Sequence, residues 1–440
     1  MLTRTRTLLS LLAVLVVCAE SLLASDAAPP RDSLALVLAA SAPGDDVQAR
    51  EIARLQASLR AGGSPRLLER LAWLFIERGR AQEDPGFTKL AEHAARALEE
   101  RVPDDAGARL ALGHALVSLH RFAEAEVVAQ ELVAERGAPF DHGLLGDAQL
   151  EQGRIAEAAV SYQAMMDLRP DAHAYARAAY LRWLTGDLEG ALAAMRVAAE
   201  AVSPRNRDTF AWSFAQLALY QLRAGRLDEA ERSCAAALAA QPDSAAALEV
   251  QGRLRLAEGR TLDAVDALGR AAERSPLPEH LWAYADALRE AGRGAEASRV
   301  EQRLLATGEG SDPRGLALWL ASHGRDPARA LELAQRELGV RQDVFTLALS
   351  SLAHVRAGDA EGAWPLMQRA LAPGTPDARL ALYAGLVAQA AGRRDEAVKW
   401  LRTAQRRRPL LLPSERRELA RALTDFQGVA DATPSPGGAT

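Results

Sequence analysis

Apolar residues recur in short bursts at three- and four-residue intervals, as at Leu112, Leu116 and Leu119. That spacing lays a stripe along one face of a helix. Three stretches show the phrase in full: LLGDAQLEQGRIAEA (144–158), ALYQLRAGRLDEA (218–230) and ALYAGLVAQAAGRRDEA (381–397). Each reads as an apolar helix, a turn glycine, and a second helix that opens on an acid and a small residue. Glycine takes the left-handed conformation that ends the first helix. Acids such as Glu157, Glu229 and Glu396 sit where the second helix has its positive end. Pro170, Pro242, Pro276 and Pro409 stop that second helix.

The turn positions are Gly79, His120, Gly153, Gly186, Gly225, Gly259, Gly292, Gly324, Gly358 and Gly392, at successive spacings of 41, 33, 33, 39, 34, 33, 32, 34 and 34. A period near 34 sustained this long defines a repeat array. A small residue follows each turn (Ala125, Ala158, Ala191, Ala230, Ala264, Ala297, Ala363 and Ala397) and lets the second helix lie close to the first.

With glycine also at Gly113, Gly146, Gly252 and Gly385, a turn glycine, a small residue and a closing proline, the pattern resembles the tetratricopeptide repeat over about residues 65–411. The resemblance implies an all-α, right-handed solenoid of about ten helix-turn-helix repeats. Three departures stand out. QEDPGFT (82–88) lengthens the first unit, SPRNR (203–207) precedes the fifth, and Arg329 stands where a small residue belongs, flanked by Ala328 and Ala330.

The resemblance also implies that the first helix of each pair lines the concave side. Carried over position by position, the expected partner-binding groove comprises Trp73, His114, Phe140, Asp147, Glu151, His173, Arg177, Tyr180, Trp183, Trp212, Gln216, Arg223, Glu249, Arg253, Trp282, Asp286 and Arg289. Four of the seven tryptophans fall on this face, and Trp, Tyr and Arg dominate binding hot spots. Packing competes as an explanation, because Trp183 and Trp212 flank the inserted SPRNR and would fill the space it opens. The occupant expected is a protein or peptide, extended or helical.

The remaining segments complete the organisation. Residues 1–27 read as an export signal, with Arg4 and Arg6 ahead of the apolar run Leu8–Val17 and small residues Ser25–Ala27 at the cleavage site. An uncleaved anchor and lipidation at Cys18 are the alternatives. Glu20 interrupts the apolar run, and Val17 is larger than the residue that usually precedes a lipidated cysteine. Residues 28–64 form a linker and a capping helix with Ile52, Leu55 and Leu59 on one face; 412–426 form a second cap with Ser414 as N-cap; and the Pro/Gly/Ser-rich 427–440 are expected to be disordered. The array therefore works in the periplasm or outside the cell. The alternative, with an ordinary first helix, is a cytoplasmic regulatory module.

Composition narrows the chemistry. Apolar residues make up 49% and charged residues 25%, and the net charge is −5, against the basic excess of a nucleic-acid binder. Cys234 falls on an apolar helix position and reads as a small buried hydrophobe. There is no HExxH, phosphate-loop, paired-cysteine or G-x-S-x-G motif, so no catalytic residue, metal or cofactor is expected. The one competing constellation is His114, His142 and Asp147, conceivable as a metal or acid–base site. The arginine-rich run 402–421 reads as a solvated end cap rather than an anion-binding surface.

Overall fold

The computed structural model describes residues 33–41, 44, 46–82 and 84–431. The expected signal, with Cys18, and residues 432–440 lie outside that range. All regular structure among the described residues is helical. Two compact units part between Ala115 and Leu116.

The first unit holds α1 (Ser33–Ala39), α2 (Val47–Arg60), α3 (Leu67–Gln82), α4 (Pro85–Glu99) and the start of α5 (Ala106–Ser118). Asp46 caps α2 by accepting from the Ala49 amide, and Ile52 and Leu55 are buried as the stripe predicts. The short α1 was not legible in the sequence. It packs on α4, and Gln56 of α2 satisfies its last carbonyls, at Val37 and Ala40. Gly79 departs from expectation. It lies inside α3, where a side chain would meet Thr88, so the inserted residues have moved the turn to follow Gln82.

In the second unit, α6 (Phe122–Glu135) is followed by eight antiparallel pairs: α7–α8 (Pro139–Glu151, Ile155–Leu168), α9–α10 (Ala172–Leu184, Leu188–Glu200), α11–α12 (Arg207–Arg223, Leu227–Ala240), α13–α14 (Ala245–Ala257, Thr261–Arg274), α15–α16 (Pro278–Glu290, Gly294–Ser311), α17–α18 (Pro313–His323, Pro327–Val340), α19–α20 (Val344–Arg356, Ala360–Leu371) and α21–α22 (Ala378–Ala390, Arg394–Arg406). A final helix, α23 (Pro413–Asp431), runs past residue 426, the expected end of the cap.

The repeat grammar is realised in detail. The turn glycines from Gly153 to Gly392 have φ between +59° and +95°, and His120 takes φ +60° in the same slot. Gly146, Gly252 and Gly385 sit where a β-carbon would come within 2.4, 2.3 and 2.6 Å of Tyr162, Leu268 and Leu401. The irregular unit is also explained. Asp326 adds a left-handed residue (φ +39°) after Gly324, so the register slides by one and Ala330 becomes the buried small residue. Arg329 is left outside, paired with Glu332.

Ser414 does not cap α23. It is the second residue of that helix, and Glu415 accepts from the Leu412 amide instead. Ser414 reaches α15: its N–H and hydroxyl both donate to Asp286 (2.8 and 2.5 Å), and its oxygen accepts from the Trp282 indole (3.1 Å). The amide and the hydroxyl are thereby satisfied inside the fold rather than by solvent.

Candidate binding hollow

The second unit closes on itself, and the closure is made by backbone as well as side chains. The Gln342 amide donates to the Glu151 carbonyl (2.9 Å), and the Thr375 hydroxyl to the Leu184 carbonyl (2.7 Å). Arg341 sits between Glu151 (3.6 Å) and His120 (2.7 Å). Turns of early repeats are thus bonded to turns of late ones. Between them, the first helices of the pairs enclose a cavity of about 400 Å³.

Pairing within and between repeats decides the fate of the predicted groove residues. Asp147 and Arg177 meet in a two-pronged pair: Nε and Nη2 of Arg177 donate to the two carboxylate oxygens (2.8 and 2.6 Å), and Tyr162 adds a third bond (2.9 Å). Burial works against the Arg177 charge, but Asp147 holds its pKa above the ordinary value. Arg253 bridges Glu249 (2.8 Å) and Glu279 (2.9 Å), and Arg379 joins Glu279 (3.1 Å) to Glu415 (2.5 Å). Burial opposes ionisation of Glu249, but Arg253 and His280 outweigh it and keep the carboxyl below its usual range. Most of the charged rows expected to face a partner are therefore spent on one another.

The tryptophans divide in two. Trp183 and Trp282 are each only 1% exposed. Trp183 stacks on Phe345 of α19, and Trp282 is held between Arg379 and Ser414. Packing accounts for both, against α19 and Arg223 for Trp183 rather than in space opened by SPRNR. Trp212, by contrast, is 48% exposed on the first half of α11. Asp286 is buried under Ser414, and Arg289 turns away toward Glu301 of α16 (2.9 Å). Tyr180, Gln216 and Arg223 line the cavity, and Glu151 lines a smaller recess beside it. His173 is exposed, with its ring edge-on to Phe140 (5.7 Å, 71°). In the first unit Trp73 packs against His114, ring centroids 5.3 Å apart.

Among the described residues no group of three His, Cys, Asp or Glu side chains is placed to hold a metal. The alternative His114, His142 and Asp147 site also loses Asp147 to Arg177 and Tyr162. Cys234 is 1% exposed and donates to the Ala247 carbonyl (3.2 Å), and burial pushes its thiol up to about 12.

Sequence reasoning stopped the inward row at Arg289 and so missed Arg314, Phe345, Arg379, Tyr383 and Glu415, all on the cavity wall. A signal for two of them was present. Phe140, His173, Trp212, Glu279, Phe345 and Arg379 each stand thirteen residues ahead of their turn glycine (Gly153, Gly186, Gly225, Gly292, Gly358, Gly392). Extending that register through the last repeats finds Phe345 and Arg379.

No helix among the described residues is long and apolar enough to cross a membrane.

Residues 144–206, 216–277 and 250–312 match the tetratricopeptide repeat family model. No curated protein matches the sequence. Similar solved structures include the human IFIT1 dimer with m7Gppp-AAAA (15% identity, 82% of this chain and 86% of that one, TM-score 0.47) and with PPP-AAAA (15%, 86% and 99%, 0.47). Another is the APC/C hetero-tetramer Cut9-Hcn1 (14%, 86% and 97%, 0.33). Arrays of this class present extended surfaces for other proteins. On the family match, the periodic helix pairs and the left-handed turn glycines, the chain carries tetratricopeptide repeats over residues 144–206 and 216–312.

Proposed function

We propose that the protein is an exported, non-catalytic scaffold that holds a protein partner through an extended segment docked on the rim of the second unit. The observation that carries this reading is the aromatic row Phe140, His173 and Trp212. These residues occupy the same register of three consecutive repeats, and Trp212 is 48% open to solvent while the tryptophans deeper in the hollow are sealed. An exposed tryptophan in line with two further rings suits a peptide backbone or loop crossing from repeat to repeat. Arg169 over the Phe140 ring (5.6 Å) adds a cation beside the row. Export rests on the basic start and apolar run of the first 27 residues.

The test has two arms. The tagged full chain is fractionated to locate it. It is then co-purified from that compartment, the partner is identified by mass spectrometry, and its affinity is measured for the wild type and for His173→Ala with Trp212→Ala. Both side chains are exposed, so the helical spectrum is retained, and affinity falls by about tenfold or more. A partner bound equally well by the double variant contradicts the rim assignment. Recovery of the full-length chain in the cytoplasm contradicts export.

A further inference from the structure

The arginines around the cavity are not equivalent. Arg253 and Arg379 are tied into the carboxylate chain described above, and Arg314 pairs with Asp343 at 3.5 Å. Arg223 differs. Its guanidinium lies 3.8 Å over the Trp183 ring and 5.6 Å from Tyr220, and no carboxylate of the described residues lies within 4.0 Å of it. A guanidinium stacked on a ring directs its N–H groups outward in its own plane, a fork that fits carboxylate or phosphate oxygens. The groups beside it are also unused. The hydroxyls of Tyr180 and Tyr220 and the amide of Gln216 have no hydrogen-bond partner among the described residues.

None of these polar atoms is sealed from solvent, so water reaches them in the hollow and the oxygens of a ligand can take its place. Burial lowers the Arg223 pKa, opposed by Asp377 and the two tyrosines at longer range. The space beside these groups, about 400 Å³, lies within the range of small-molecule pockets, about 300–1,000 Å³. Leu219, Leu318 and Phe345 supply apolar parts of the same wall.

We propose that this cavity is a binding site for a small organic anion. The carboxylate or phosphate sits on the Arg223 fork, with Gln216, Tyr180 and Tyr220 completing its hydrogen bonds and a compact aromatic or apolar body lying against the Phe345 side. The site is independent of the rim and does not depend on the scaffold reading.

The experiment is calorimetric titration of the full chain with benzoate, phenyl phosphate and neutral benzamide. These probes share one body and differ in the group offered to Arg223, so the two anions tell a carboxylate site from a phosphate site. At least one anion binds with a Kd of about 1 mM or tighter, and benzamide binds at least about tenfold more weakly. Arg223→Met removes the fork, and Gln216→Glu leaves the arginine in place but adds a negative charge to the cavity wall, which repels an anion. Each weakens the anion by about tenfold or more. Gln216→Glu on the half-buried wall leaves the Trp183 stack untouched, so the test survives if Arg223→Met does not fold. Absence of binding by both anions, equal binding of benzamide, or wild-type affinity in Gln216→Glu overturns the proposal.

Discussion

Trp183 of α9 lies nearly parallel to Phe345 of α19, with ring centroids 5.6 Å apart and planes at 18°, while the Arg223 guanidinium lies over the indole at 3.8 Å. One side chain therefore joins three repeats, two of them far apart in sequence. Truncating it removes the contact from all three. Trp183→Ala lowers stability by about 3–5 kcal/mol, the usual cost of emptying an aromatic site in a core, read as a drop in urea midpoint. A midpoint within error of wild type would show that the stack is not part of the stable core.

The Asp147–Arg177 pair predicts a smaller effect. About a fifth of each side chain remains open to water, so breaking the pair costs about 2 kcal/mol rather than the larger figure for fully buried ions. A double-mutant cycle with Arg177→Met and Asp147→Asn measures the coupling directly. Additive single-variant losses would mean the two groups do not interact in solution.

Two glycines of one repeat separate packing from backbone conformation. A β-carbon at position 252 would lie 2.3 Å from Leu268, whereas Gly259 has open space around it but φ +76°. Gly252→Ala costs about 1–3 kcal/mol through crowding, and Leu268→Ala in the same chain recovers part of it. Gly259→Ala costs about 1 kcal/mol through the left-handed backbone, with no recovery from Leu268→Ala. Equal response of both to the second substitution would contradict the distinction.

The Asp286 carboxyl has a definite pH signature. Burial raises its pKa, with the Ser414 hydrogen bonds, His323 and Arg417 pulling the other way. The folded state therefore holds its proton to higher pH than the unfolded chain does. The stability this group contributes is complete below the unfolded value of about 3.9 and is lost as pH rises through the folded one. Asp286→Asn stays neutral throughout, so its stability relative to wild type improves from pH 4 to pH 7 in paired urea titrations. A difference that is flat, or that grows toward acid, would contradict the buried-charge account.

The repeats were legible because each obeys local chemistry: glycine where φ is positive, a small residue where helices approach, proline where the second helix stops. Gly153, Ala158 and Pro170 carry that information within a single unit. Closure was not legible. It depends on the summed rotation of many repeats, which brings Gln342 to Glu151 and Thr375 to Leu184. The inward-facing residues were likewise read as free for a partner, when Arg177 and Arg253 are bonded to carboxylates of their own or neighbouring repeats and Asp286 to the final helix. Trp212 and Arg223 keep unsatisfied surface, and only the three-dimensional arrangement separates them from their neighbours in the same row.

Amide hydrogen exchange at Gln342 tests closure of the second unit most directly. This residue lies between α18 and α19, and its N–H donates to the Glu151 carbonyl of α7. If the early and late repeats are joined, the Gln342 amide exchanges as slowly as the neighbouring helix interiors and is released by disrupting the contact elsewhere, as in Trp183→Ala. Exchange at the rate of an open loop in the wild-type protein would contradict the closed hollow and the anion site argued from it.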